Sequence, residues 1–406
     1  MNILWTRNFT IITLSSITSI FGNALANFAI SLMVLDISDS IFMFVLYMVA
    51  FNLPRILVPV LAGPLLDSFS RVKTMFTLNF TSTALYVILF FVLSSGFFSF
   101  TFLLIMGFIL GAVASTYFVA YESLYPTLIS DGNFRKAYSV SSMVMPLSVV
   151  MMPVAAFLHA RIDIGQILLY ASIAFFVAAC LETRIRTNEE HLRKKLEKYS
   201  LSEFKTSFVT GLQYIRSEKG LVVITSYFFV SMFAFSSHSL LLPFFVNTPH
   251  LGVMLYTVVM GASVLGRIIG AAIQYRIDMP VNKKFMIAVS VYITFCIIEM
   301  SYLFTPIYVM AILAFIVGLL TVTSYNIRIS TTQSYIPNEK RARFNGTFQM
   351  IMNSGMIVGQ LTAGALADII PIRAVFIIFN GICLIAVFAI MIRGRKHVIP
   401  IFNRKV

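Results

Sequence analysis

Few side chains in this sequence can move a proton or hold a charged ligand, and those few stand inside long apolar runs. Arg55 and Arg267 interrupt two of these runs, Glu122 and Glu299 fall toward the ends of two others, and His238 sits within Ser236-Ser237-His238-Ser239. An unpaired charge at the middle of a bilayer costs at least about 2.5–3.5 kcal/mol even on insertion scales, so each needs a partner or access to water. Either carboxylate can carry a proton, attract a cation, or serve as a plain charge partner. Imidazole titrates near neutrality, which suits His238 to proton coupling, but either ring nitrogen can equally satisfy a helix contact. Asn23 and Asn27 are four residues apart and share one helix face, where they line a cavity or bond a neighbouring helix. Tyr121 and Tyr125 flank Glu122, in position to line an inner mouth. Arg328, Asn353 and Gln360 add polar groups to two further runs without defining a ligand chemistry.

Other chemistries find little support. The sequence has no phosphate-binding loop, no HExxH pair and no serine-hydrolase elbow, which argues against ATP-driven transport and against an enzyme. Cys180, Cys296 and Cys383 lack CxxC spacing and read as structural thiols, with no metal site or cofactor expected.

The elements that must position these residues are set by composition. Of 406 residues, 59% are hydrophobic and only 11% charged, with 39 Phe and 21 Met, and the mean hydropathy is +0.89. These values fit an all-α polytopic membrane protein and not a soluble domain. A helix needs about 20 largely apolar residues to cross the hydrocarbon layer. That ruler predicts twelve transmembrane helices in two six-helix bundles, near 8–35, 41–66, 74–95, 98–121, 138–160 and 164–181, then 221–246, 251–273, 285–303, 306–329, 344–367 and 371–392. The strand-like alternation that a membrane β-barrel requires is missing.

The formal net charge of +14 is distributed by side of the membrane and forms no nucleic-acid groove. With a cytoplasmic N-terminus, the inner side carries Arg71, Lys73, Arg135, Lys136, nine Lys/Arg from Arg184 to Lys219, Arg276, Lys283, Lys284, Lys340, Arg341, Arg343 and a basic tail from Arg393. The outer loops hold only Arg161 and Arg373. The positive-inside rule therefore puts both termini in the cytoplasm of a multi-pass inner or plasma membrane protein, and the basic face favours anionic lipid headgroups.

The expected organisation is a first bundle over 1–181, a cytoplasmic linker over 182–220, a second bundle over 221–393 and a basic tail over 394–406. A repeat supports the division. Leu53-Pro54-Arg55 before Asp67 is echoed by Leu265-Gly266-Arg267 before Asp278, and Tyr125-Pro126 by Tyr335-Ile336-Pro337. Two related bundles can open a central cavity alternately to each side.

The loop Gly63-Pro64-Leu65-Leu66-Asp67-Ser68-Phe69-Ser70-Arg71-Val72-Lys73 resembles the G-x-L-x-D-R-x-G-R-[RK] motif of the major facilitator superfamily, with Ser68 and Ser70 departing from it. The resemblance implies a gating role for Gly63, Asp67, Arg71 and Lys73. Arg55 and Arg267 are assigned to the same gating or to structural pairing, with anion binding as the competitor. Around Pro54, Gly63 and Asp67 the chain is similar to macrolide and siderophore exporters and to some lipid transporters. Its fifth span, with Pro146 and Pro153, lacks the G-x-x-x-G-P motif of drug antiporters.

The resulting expectation is a monomeric secondary exporter of an amphipathic small molecule, using a proton gradient with Glu122, favoured slightly, Glu299 or His238 as coupling groups. Import of a solute or lysophospholipid, and a transport-inactive receptor, are the alternatives.

Overall fold

Hydroxyl caps set the starts of the first helices. Thr6 accepts a bond from the Phe9 amide at the head of α1 (Arg7–Ile37), Ser40 from Met43 at α2 (Ile41–Asn52), Ser70 from Lys73 at α3 (Arg71–Ser94), and Ser99 from Phe102 at α4 (Phe100–Leu124). Each replaces one of the intrahelical partners that a first turn lacks. In the computed structural model of the chain, residues 4–38, 40–54, 56, 58, 69–96, 99–130, 133, 137, 140–141, 151–159, 161–187, 201–276 and 279–404 are described. The chain divides into two compact units, Met1–Leu201 and Ser202–Val406.

The first unit continues from α4 through a 3₁₀ turn, Tyr125–Leu128, and adds α5 (Met151–His159) and α6 (Ile164–Glu182). Here α6 packs along α1 and α3, α1 also meets α5, and α2 lies against α4. Gly111 of α4 makes the last pairing close, since a Cβ there would overlap the Phe51 carbonyl of α2.

The second unit begins with α7 (Leu201–Ser217) and α8 (Lys219–Phe235). A 3₁₀ stretch, Ser236–Leu240, then separates α8 from α9 (Leu241–Asn247), and α10 (Val253–Arg276), α11 (Lys284–Ser301), α12 (Ile307–Tyr335), α13 (Asn338–Ala367), α14 (Ile372–Ala386) and α15 (Arg395–Phe402) follow. Pro306, Pro337 and Pro371 stand immediately before α12, α13 and α14, where a missing N–H costs no helical bond. The neighbours repeat those of the first unit: α14 packs on α8 and α11, α8 on α13, and α10 on α12. The α10–α12 contact again depends on glycine, because a Cβ on Gly266 would overlap the Phe315 carbonyl and one on Gly318 the Ser263 carbonyl.

Ten helices among the described residues are long and apolar enough to cross a membrane, and Ile41–Asn52 is a shorter apolar helix. The architecture is therefore an all-α, multi-pass membrane fold of two units. The spans predicted at 41–66 and 138–160 extend beyond the described residues. The three cysteines are free thiols.

The segments expected as linker and tail both carry packed structure. In the linker, Gly211 of α7 meets Thr347 and the Arg343 carbonyl of α13, Lys340 lies over the Tyr214 ring, and the Tyr335 hydroxyl donates to Glu218. The basic tail contains α15, whose Val398, Ile401 and Phe402 are buried against the second unit. Lys284 donates to the Arg404 carbonyl at its end.

Candidate functional site

A break in helix winding brings two of the sequence-predicted residues together. Pro243 has no N–H to offer the carbonyl of Ser239, and the hydroxyls of Ser236, Ser237 and Ser239 bond back to the carbonyls of Phe233, Ala234 and Ser236 at 2.6, 2.8 and 2.8 Å. Both effects loosen α-helical bonding, and Ser236–Leu240 winds as 3₁₀ instead. Gly359 of α13 fits closely at this point, where a Cβ would overlap Ser236 and the Phe233 carbonyl. His238 projects from the stretch toward α11.

There its Nε2 lies 3.3 Å from Oε1 of Glu299, which is 1% exposed. Nδ1 lies 3.1 Å from the Phe235 carbonyl, and the ring stacks on Phe235 with centroids 4.3 Å apart. A carbonyl only accepts, so Nδ1 carries the proton of that bond, leaving Nε2 to face the carboxylate. The contact then needs one more proton, held on Nε2 as an imidazolium or on Glu299 as an acid. Both forms have no net charge. Among the described residues Oε2 of Glu299 lacks a hydrogen-bond partner. The pair is thus an acid–base contact between α11 and the 3₁₀ stretch, built so that one proton can be shared across it.

The first unit holds a buried carboxylate that sequence reasoning missed. Glu182, the last residue of α6, is fully buried and accepts bonds from the Tyr117 hydroxyl at 2.7 Å and from Asn79 Nδ2 at 2.9 Å. Ser19 donates to Asn79 Oδ1 at 3.3 Å. Among the described residues no Lys, Arg or His side chain pairs with Glu182. Asn79, Tyr117 and Ser19 also line a cleft with Asn23, Ser82 and Tyr86. The available signal was the lone acid at the end of the sixth apolar run. Ending that run at 181 assigned it to the linker.

The remaining expected site residues are scattered. Asn27 donates to Asn23 within α1. Tyr121 and Tyr125 are buried in the first unit's core, with Tyr125 donating to the Ala137 carbonyl at 2.7 Å. Glu122, between them, is exposed. Arg71 donates to the Ser123 carbonyl at 2.9 Å, placing a cation at the C-terminal end of α4, and Lys73 is exposed. Arg267 is exposed on α10. Asn353 accepts from Gln349 at 2.9 Å, and among the described residues the Oε1 of buried Gln360 has no partner. Arg328 lies among aromatic rings of α8, α12 and α13. Arg55, Gly63 and Asp67 lie outside the described residues.

Comparison with known proteins agrees with this architecture. Residues 3–401 match the MFS family of transmembrane secretion effectors. An uncharacterized MFS-type transporter of Bacillus subtilis, YkuC, is 24% identical over 389 residues, covering 91% of this chain and 87% of that one. The nucleoside transporter NupG superposes with a TM-score of 0.73 at 12% identity, covering 96% of this chain and all of that one. A bacterial homologue of the iron transporter ferroportin in its inward-facing state superposes with a TM-score of 0.70 at 15% identity, covering 97% and 98%. At such identities the structural likeness shows the fold alone. The family match over nearly the whole length, joined to a multi-pass helical fold of two similarly packed units, makes this chain a member of the major facilitator superfamily, a membrane transporter and not an enzyme.

Proposed function

We propose that the protein is a proton-coupled exporter of an amphipathic small molecule, with twelve spans in two six-helix bundles and both termini in the cytoplasm. The observation that carries the coupling is the His238–Glu299 pair, in which an imidazole nitrogen lies 3.3 Å from a buried carboxylate oxygen. Release of the proton favours separation of the two side chains, and so links protonation to movement of the 3₁₀ stretch against α11. Geometry favours this pair over exposed Glu122 as the coupling site. Outward direction rests on the family of secretion effectors. Gly63, Asp67, Arg71 and Lys73, with Arg55 and Arg267, form the gating set in this reading. Asn23, Asn27, Arg328, Asn353 and Gln360 supply polar groups to the substrate path.

Reconstitution into liposomes tests the proposal. With a dansylated undecanoic acid as probe, an imposed proton gradient should drive uphill movement, and an internal pH dye should report the counter-moving protons. Glu299→Gln and His238→Gln should each abolish gradient-driven movement while preserving probe exchange at equilibrium. Glu122→Gln should leave coupling intact. Unchanged proton flux in both pair variants would remove the coupling assignment.

A further inference from the structure

The most unusual cation in the second unit is Arg328. It stands on α12 seven residues before that helix ends at Tyr335, about 10 Å along the axis. Its guanidinium carbon lies 5.0 Å from the centroid of Phe228, 5.2 Å from Phe348 and 5.5 Å from Tyr325. The Phe228 and Phe348 rings meet edge to face with centroids 6.2 Å apart, so they form two walls of a half-buried enclosure. Among the described residues the guanidinium has no carboxylate partner and no hydrogen-bond acceptor, while Glu299 of the same unit is engaged by His238.

Aromatic faces offset the positive charge through their quadrupoles but accept none of its hydrogen bonds well. A guanidinium has five N–H donors arranged as a planar fork, which match the paired oxygens of a carboxylate or phosphate. The enclosure therefore supplies a place for the cation and leaves its N–H donors without a protein acceptor among the described residues. A donor fork within an apolar helix, walled by aromatic rings, fits a ligand with an oxyanion at one end and an apolar body at the other.

The geometry points to Arg328 as an oxyanion-binding site for an anionic amphiphile. This deepens the transport reading by naming the charge of the substrate, and it rests on that reading for the step from binding to movement. Two sources present the same chemistry, a transported amphiphile and the phosphate of a resident lipid, and they separate experimentally.

Purified full-length protein in an uncharged maltoside detergent should bind the dansylated undecanoic acid about tenfold or more tightly than its methyl ester, the scale of one charge-assisted fork. Arg328→Gln should erase this preference, and Arg328→Lys, which keeps charge but loses the planar fork, should retain part of it. Thermal unfolding of each variant reports folding, and the lysine variant decides the matter if the glutamine variant does not fold. Displacement of the acid by phosphatidylglycerol, with no gradient-driven movement of the acid in liposomes, would identify the ligand as lipid and leave the oxyanion site standing without the transport reading. Arg328-dependent movement of the acid would identify it as cargo. Equal binding of acid and ester by the wild type, or an undiminished preference in Arg328→Gln, would overturn the site. Gradient-driven movement of the ester in that case would leave the transport reading intact.

Discussion

Glu182 has no cationic partner among the described residues, so its place in the first unit is held by neutral donors. Glu182→Ala should strand the Tyr117 hydroxyl and Asn79 amide in a buried position, at about 1–3 kcal/mol for each unsatisfied group. Tyr117→Phe removes one bond and should cost less, near 1 kcal/mol. Denaturant-induced unfolding in detergent micelles would check both, and an unchanged midpoint in Glu182→Ala would show that the cluster adds nothing to stability. This residue also marks the edge of what the sequence discloses. Composition reveals that an acid stands near the end of an apolar run, but whether it turns inward depends on donors from α3 and α4 that lie far away in the chain. His238 and Glu299 were legible singly, through their chemistry, and illegible as a pair. Their meeting requires α8 and α11 to share α14 as a neighbour and the helix to change winding at Ser236.

At the scale of elements, spans and starts were the readable features, because about 20 apolar residues and a serine or proline at the head are local signals. The close crossings were not. Nothing in the sequence separates Gly318, where a Cβ would overlap the Ser263 carbonyl, from Gly346, which has open space around it. The two should respond oppositely to alanine. Gly318→Ala should force α10 and α12 apart and destabilise by about 1–3 kcal/mol. Gly346→Ala, in a helix and unobstructed, should be stabilising by about 0.5–1 kcal/mol. Melting temperatures of the two purified variants would settle the contrast, and equal shifts would refute the crossing.

For the whole molecule, loop charge carries an expectation of orientation that the fold leaves to experiment. In a background without native cysteines, Ser95→Cys, in the turn after α3, should react with a membrane-impermeant maleimide added to intact cells. Ser217→Cys, at the end of α7, should react only after permeabilisation. Both positions are exposed, so protection would report the membrane and not packing. The reverse pattern would invert the assigned topology. Hydropathy could indicate spans because it is a sum over many residues, insensitive to which helix touches which. Repeated packing was visible only as the faint echo of Arg55 in Arg267 and of Tyr125 in Tyr335. The shared neighbour pattern of the two units arises from contacts between helices well separated in sequence, where no local signal records the partner.

Winding also has a metric consequence. Five residues in 3₁₀ form advance about 2.0 Å and turn about 120° each, against about 1.5 Å and 100° in an α-helix. Rewinding Ser236–Leu240 as α would shorten that segment by about 2.5 Å and rotate α9 by about 100° relative to α8. The imidazole would leave the Glu299 carboxylate by screw motion, with no hinge bending required. Pro243 opposes the rewound form by withholding the N–H that the Ser239 carbonyl would need.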